Sequence, residues 1–166
     1  MTVLKLAGIG ILARMTYEDL TCRKIHVLWF VALFLIIGAQ GITAVSTKEW
    51  VVTSIRNTII GTILILSAWL GSALIRGLKP PKLGDVIGSG DIILIIVIAF
   101  AFTTASYMAF LIIALGFSLI AHLIVQRTLK LQEPNVALAG WIALDLAVLW
   151  MGQLGGIPIF DRIQAY

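Results

Sequence analysis

Only eight Asp and Glu side chains occur among 166 residues of which 60% are hydrophobic, and five of the eight are aspartates: Asp19, Asp85, Asp91, Asp145 and Asp161. In so apolar a chain each acid has to be accounted for singly, because an ionisable group near hydrocarbon is costly unless it is paired or hydrated. Asp91 follows Gly88-Ser89-Gly90 and opens the apolar run Ile92 to Phe100; Asp19 lies in Tyr17-Glu18-Asp19-Leu20-Thr21-Cys22-Arg23-Lys24-Ile25. Two carboxyls that approach one water cannot both ionise, so they share a proton and titrate as a pair. The ionised member can take a proton from the water as it attacks a carbonyl, and the protonated member can polarise that carbonyl and then protonate the departing amine. This is peptide hydrolysis without a metal or a nucleophilic side chain. Plainer readings stand beside it. Asp is a preferred helix N-cap and glycine before it permits a turn, while an acidic pair next to Arg23 and Lys24 also suits a solvated interfacial turn. On the functional reading, Gly88 and Gly90 let a substrate backbone approach Asp91.

Other chemistries find less support. His26 and His122 are isolated, and no HExxH, P-loop or Ser/His/Asp pattern is present. The single cysteine, Cys22, excludes an internal disulfide and a Cys-built zinc site. No metal and no cofactor are therefore expected. Asp85 and Asp161 read as solvated loop and tail charges. Asp145 stands mid-run in Ile142-Ala143-Leu144-Asp145-Leu146-Ala147, where it requires either a hydrogen-bond partner on another helix, such as Ser67 or Ser118, or a hydrated cavity. Glu18 suits either attraction of a basic substrate segment or a surface pair with Arg14.

The elements that must position these acids follow from composition. With 12% charged residues and a mean hydropathy of +1.07, the chain departs from a soluble domain, a disordered chain or a nucleic-acid module. An all-α, polytopic membrane helix bundle with about six transmembrane helices, forming a single domain over 1–166, is expected. The apolar runs are Thr2 to Thr16, Val27 to Val45, Thr58 to Ile75, Asp91 to Phe102, Tyr107 to Val125 and Val136 to Leu154, judged against the roughly 20 residues that cross a bilayer. The first is short and carries Lys5 and Arg14, which can snorkel; the fourth requires Thr103 and Thr104 to bond helix carbonyls. The first run is read as a retained span, because Arg14 stands where a signal peptide needs small residues, and Glu18 and Asp19 before Cys22 do not form a lipobox. Trp50 and Trp69 suit interfacial anchors. No internal repeat points to a transporter built from halves.

Charge sets the orientation. The net +4 and pI near 9.5 are topology marks in such a chain. With the N-terminus outside, Arg14, Arg23, Lys24, Arg76, Lys79, Lys82, Arg127 and Lys130 lie inside, against Lys5, Lys48, Arg56 and Arg162 outside. Asp19 then ends the first span and Asp91 begins the fourth on the same, cytoplasmic face.

Asp19-Leu20-x-x-Arg23-Lys24-Ile25 after a first span, with Gly88-x-Gly90-Asp91 opening the fourth, resembles the two aspartate motifs of the type IV prepilin peptidases, members of the GxGD intramembrane aspartyl proteases. The resemblance covers essentially the whole chain in span order and is to the small members without the methyltransferase region, whose Cys-x-x-Cys motif is missing here. It implies Asp19 and Asp91 as the catalytic pair, a multi-pass protein of the inner (cytoplasmic) membrane with its site facing the cytoplasm, and removal of a short basic leader from a prepilin-like membrane precursor. The sequence departs from the family pattern where Ile25 is followed by His26 and Val27 in place of Pro-Asn, where Ile93 occupies a frequent Lys position, and where the last span is preceded by a lone Pro134. These departures point to a divergent branch with its own substrate. Two readings from other classes stand beside it: a small proton- or ion-coupled carrier using Asp145 and Asp91, and a non-catalytic subunit of a pilus or secretion assembly.

Overall fold

The computed structural model describes residues 2–76, 87–129 and 138–157, all of them helical or in short connections. Six helices follow in order: α1 (Thr2–Cys22), α2 (Val27–Ala44), α3 (Thr47–Arg76), α4 (Ser89–Ile98), α5 (Thr104–Leu129) and α6 (Leu138–Leu154). Three contain stretches long and apolar enough to cross a membrane, Val27–Ala44, Thr47–Leu74 and Thr104–Ala121. Their outward faces are lined by large apolar side chains, among them Leu35, Ile59, Ile63 and Ile112, which in a bundle this apolar is a lipid-facing surface. The protein is an all-helical membrane bundle.

Two glycines let α1 and α6 pack antiparallel. A Cβ at Gly8 of α1 would lie 2.1 Å from the Trp150 ring of α6, and a Cβ at Gly140 of α6 would lie 3.1 Å from Asp19 Cβ and Oδ2 of α1. Between and beyond these contacts the register is pinned by Thr16 Oγ1, which donates to Gly140 O at 3.2 Å, and by Lys5 Nζ, which donates to Gln153 Oε1 at 2.7 Å.

α4 is the buried element, with Leu94 and Ile98 fully enclosed, and it is shorter than the run Asp91 to Phe102 expected from hydropathy. At ten residues it is only about 15 Å long, half the hydrocarbon thickness. Its end tightens: the N–H groups of Ala99, Phe100 and Ala101 donate to carbonyls three residues back. That leaves the carbonyls of Ile95, Ala99 and Phe102 to be satisfied in an apolar interior, and side chains do so. Tyr107 Oη donates to Ile95 O at 3.0 Å, and the fully buried Asn57 Nδ2 donates to Ala99 O and Phe102 O at 2.9 and 2.8 Å. Thr103 and Thr104, expected to bond helix carbonyls, do not. Thr103 Oγ1 donates to Ser106 Oγ at 3.0 Å, and Thr104 Oγ1 is buried without a partner among the described residues.

α3 begins at Thr47, eleven residues before the expected Thr58. The stretch with Glu49, Arg56 and Asn57 is helical because Trp50, Ser54 and Asn57 form one buried stripe while Arg56 faces outward. Trp50 is consequently an internal group and not an interfacial anchor: its indole lies on Gly41, where a Cβ would be 2.0 Å from Nε1, and donates to Phe100 O at 3.0 Å.

Candidate active site

Asp19 is on the last turn of α1, past the apolar Thr2 to Thr16 run, and Asp91 is the third residue of α4. The two come from separate helices and meet at the first turn of α6. Gly140 N–H donates to Asp19 Oδ2 at 2.6 Å, and Ala139 N–H donates to Asp91 Oδ1, also at 2.6 Å. The first N–H groups of any helix lack intrahelical acceptors and carry partial positive charge. Here two consecutive ones are taken by two carboxyls. Since neighbouring amide nitrogens are about 3 Å apart, the bonded carboxyl oxygens lie within about 8 Å of each other, and the charge of Asp19 is felt at Asp91.

The Asp91 carboxyl is held from a second side. Asp91 Oδ2 accepts from Gly88 N–H at 3.1 Å, the reciprocal half of a helix N-terminal cap. Asp91 is buried, and Asp19 is half-buried. Burial pushes the Asp19 carboxyl above the ordinary aspartate range, opposed by the Gly140 N–H and by the Arg23 guanidinium.

The two glycines before Asp91 also make local contacts. Gly88 is exposed, and a Cβ there would lie 3.0 Å from Asp91 Oδ2. Gly90 faces Phe30 Cζ and Ile25 Cδ1, 3.7 and 3.9 Å from where its Cβ would be, so its bare face seats α4 on the α1–α2 connection and α2. Glu18, considered for attracting a basic segment, is engaged within the protein. It pairs with Arg14 Nε at 2.9 Å and accepts from His26 N–H and Trp29 Nε1 at 3.2 and 3.1 Å. The His26 amide above all, with Trp29 and Arg14, holds the Glu18 carboxyl below its ordinary range. This clasp closes the tight α1–α2 connection.

Arg23 and Lys24 are exposed on that connection. Arg23 has φ 55° and its N–H donates to Asp19 O at 3.2 Å, a left-handed helix terminator that normally selects Gly or Asn. An L-residue with a Cβ costs about 1 kcal/mol there. Arg23→Gly is therefore expected to raise thermal stability by about that amount, read as a higher Tm in detergent; an unchanged or lower Tm would show that Arg23 contributes more through its side chain than its backbone costs.

Asp145 lies half-buried in the middle of α6, five residues beyond Gly140. Its Oδ2 has no hydrogen-bond partner among the described residues. Ser67 donates instead to Leu64 O at 2.8 Å, and Ser118 Oγ is itself unpartnered, so neither of the expected partners is joined to it. Asp85, Asp161, the Pro134 segment and the His122 side chain lie outside the described residues. Among the described residues no three His, Cys, Asp or Glu side chains converge.

Sequence reasoning located both acids and missed what holds them, because the donors at Ala139 and Gly140 are backbone groups. Comparison of the chain with protein-family models, with curated proteins and with solved structures returns no match. Fold and site define a helical membrane protein with a carboxyl pair at one end of its bundle.

Proposed function

We propose that the protein is an aspartic endopeptidase of the prepilin peptidase kind, removing a short basic leader from a prepilin-like membrane precursor at the cytoplasmic face of the inner membrane. The observation that carries this reading is the attachment of Asp19 and Asp91, from two different helices, to consecutive amides of α6. Two acids tied to adjacent donors have their bonded oxygens within about 8 Å of each other, the neighbourhood in which one water can be shared. Their burial and mutual repulsion favour a state with one proton on the pair. The excess of basic residues on the aspartate end of the bundle supports a cytoplasmic orientation.

In the proposed reaction a water between the carboxyls loses its proton to the ionised aspartate as its oxygen bonds to the scissile carbonyl carbon. The protonated aspartate donates to the carbonyl oxygen, giving a neutral gem-diol. Breakdown returns a proton to the leaving nitrogen, breaks the C–N bond and restores one proton on the pair. The amides of Ala139 and Gly140 keep the two carboxyls in register throughout, so that little reorganisation accompanies proton transfer.

The test is mass spectrometry of the N-termini of pilin-like membrane proteins in cells with and without this protein. Precursors that retain their leaders only in its absence, and recover processing on its return, are expected. Identical N-termini in both cells would sink the assignment and return attention to a carrier or assembly role.

A further inference from the structure

We infer that the groove beside the α1–α2 connection holds one anionic phospholipid, with an acyl chain along α2 and the headgroup on a basic rim. This goes beyond the peptidase reading and does not depend on it. The groove has a volume of about 550 Å³, within the range of small-molecule sites. Leu28, Val31, Ala32 and Leu35 of α2 line its length, while Glu18, His26 and Trp29 line the end at the connection. Val27 opens the spanning stretch of α2, so the groove starts at one membrane surface and descends. From Leu28 to Leu35 it runs about 10 Å along the helix, most of the roughly 15 Å of hydrocarbon in one leaflet. An extended peptide laid there would bring backbone N–H and C=O groups against an apolar wall that cannot bond them. A hydrocarbon chain has no such need.

The charge of the rim selects the headgroup. Glu18, the acid in the lining, is clasped by the His26 N–H, Trp29 Nε1 and Arg14 Nε. Its side chain is left 16% exposed, against 54% for Arg14, so the pair presents mainly its positive member. The Arg14 guanidinium is steadied over the Tyr17 ring, 5.6 Å from its centroid. Lys24 and His26 are exposed on the connection, and the imidazole supplies an N–H donor in either protonation state. Arg23, whose charge acts on Asp19, adds a further cation to the same connection. Basic groups above an apolar trough complement a phosphate above an acyl chain, and basic residues at a membrane surface favour anionic lipid.

The test is native mass spectrometry of the full chain, extracted by detergent from vesicles of equal phosphatidylglycerol and phosphatidylcholine with identical acyl chains. One phosphatidylglycerol is expected to stay bound, at least about fivefold in excess of phosphatidylcholine. Lys24→Gln, on the exposed connection, should lower its retention about fivefold. Ala32→Phe, which fills the groove from α2, should remove the bound lipid, and Ile59→Phe, on the outward face of α3, should keep it. Helix content by circular dichroism should match across the set; if Ala32→Phe does not fold, Leu35→Trp, at a position 65% exposed, fills the same groove. Equal retention of the two lipids would overturn the inference, as would retention unchanged by Lys24→Gln or by filling the groove. So would displacement of the lipid by inorganic phosphate, which carries the headgroup's charge without its chain.

Discussion

Asp19→Asn protein is expected to insert and fold normally and to cleave at least about 10³-fold more slowly than the native protein, the range that loss of a general acid or base commonly costs. The amide substitution is informative because its carbonyl oxygen can still accept the Gly140 N–H that Asp19 Oδ2 accepts at 2.6 Å, so docking of α1 on α6 survives while the exchangeable proton is lost. Asp91→Asn is expected to be equally inactive and somewhat less stable. Both Asp91 oxygens accept backbone N–H groups, from Ala139 and Gly88, and an amide can serve only one of them. The double variant should be no slower than either single one, since residues that act as a unit do not add. The pH profile supplies a second readout. The pair holds one shared proton, so turnover is lost as pH rises through the upper pKa of the pair, to which the burial that raises Asp19 contributes. Arg23 opposes the shift; Arg23→Gly should therefore move the alkaline limb upward. Wild-type turnover in Asp19→Asn, or an alkaline limb that ignores Arg23, would remove Asp19 from the chemistry.

What sequence reveals about such a site depends on which atoms build it. α2 was legible almost to the residue, because Val27–Ala44 is an uninterrupted apolar segment. The start of α3 was not, because Glu49, Arg56 and Asn57 depress its hydropathy; Asn57 belongs inside as the cap of a neighbouring helix, which no periodicity announces. α4 was over-extended for the same reason in reverse. Ala99 to Phe102 is apolar enough to span, yet the chain leaves the helix there and its carbonyls are bonded from α3 and α5. Asp19 and Asp91 could be placed on one face from span order alone. Around Gly88, Gly90 and Glu18 the structure adds capping, packing and loop-closing contacts that the sequence does not announce.

Gly140→Ala carries the second large effect, since that glycine has no side chain to nominate it and yet lies at the centre of the pair. Its N–H holds Asp19, its carbonyl accepts from Thr16 Oγ1, and a Cβ would lie 3.1 Å from both Asp19 Cβ and Oδ2. The contact is too close to be absorbed by a flexible chain end, because Asp19 Cβ moves only with the backbone of α1. The last turn of α1 must retreat by some tenths of an ångström, and the carboxyls separate. Misplacement of 1 Å at a reacting group costs about 10² in rate, so a retreat of some tenths of an ångström should lower kcat by roughly fivefold to tenfold with substrate affinity less affected. Gly8→Ala meets its obstacle at the other end of the same helix pair, 2.1 Å from the Trp150 ring, and should lower Tm more than it lowers kcat in the surviving protein. Gly90→Ala would make only ordinary contacts at 3.7 and 3.9 Å and should keep most of the turnover, while Gly10→Ala, with open space around it, is the control for α1. Turnover and melting measured on the four variants separate the two functions of close approach: at Gly8 it holds the helices together, and at Gly140 it sets the distance between two acids. Full activity in Gly140→Ala, or its loss in step with Tm as in Gly8→Ala, would mean that α6 supports the bundle without positioning the pair.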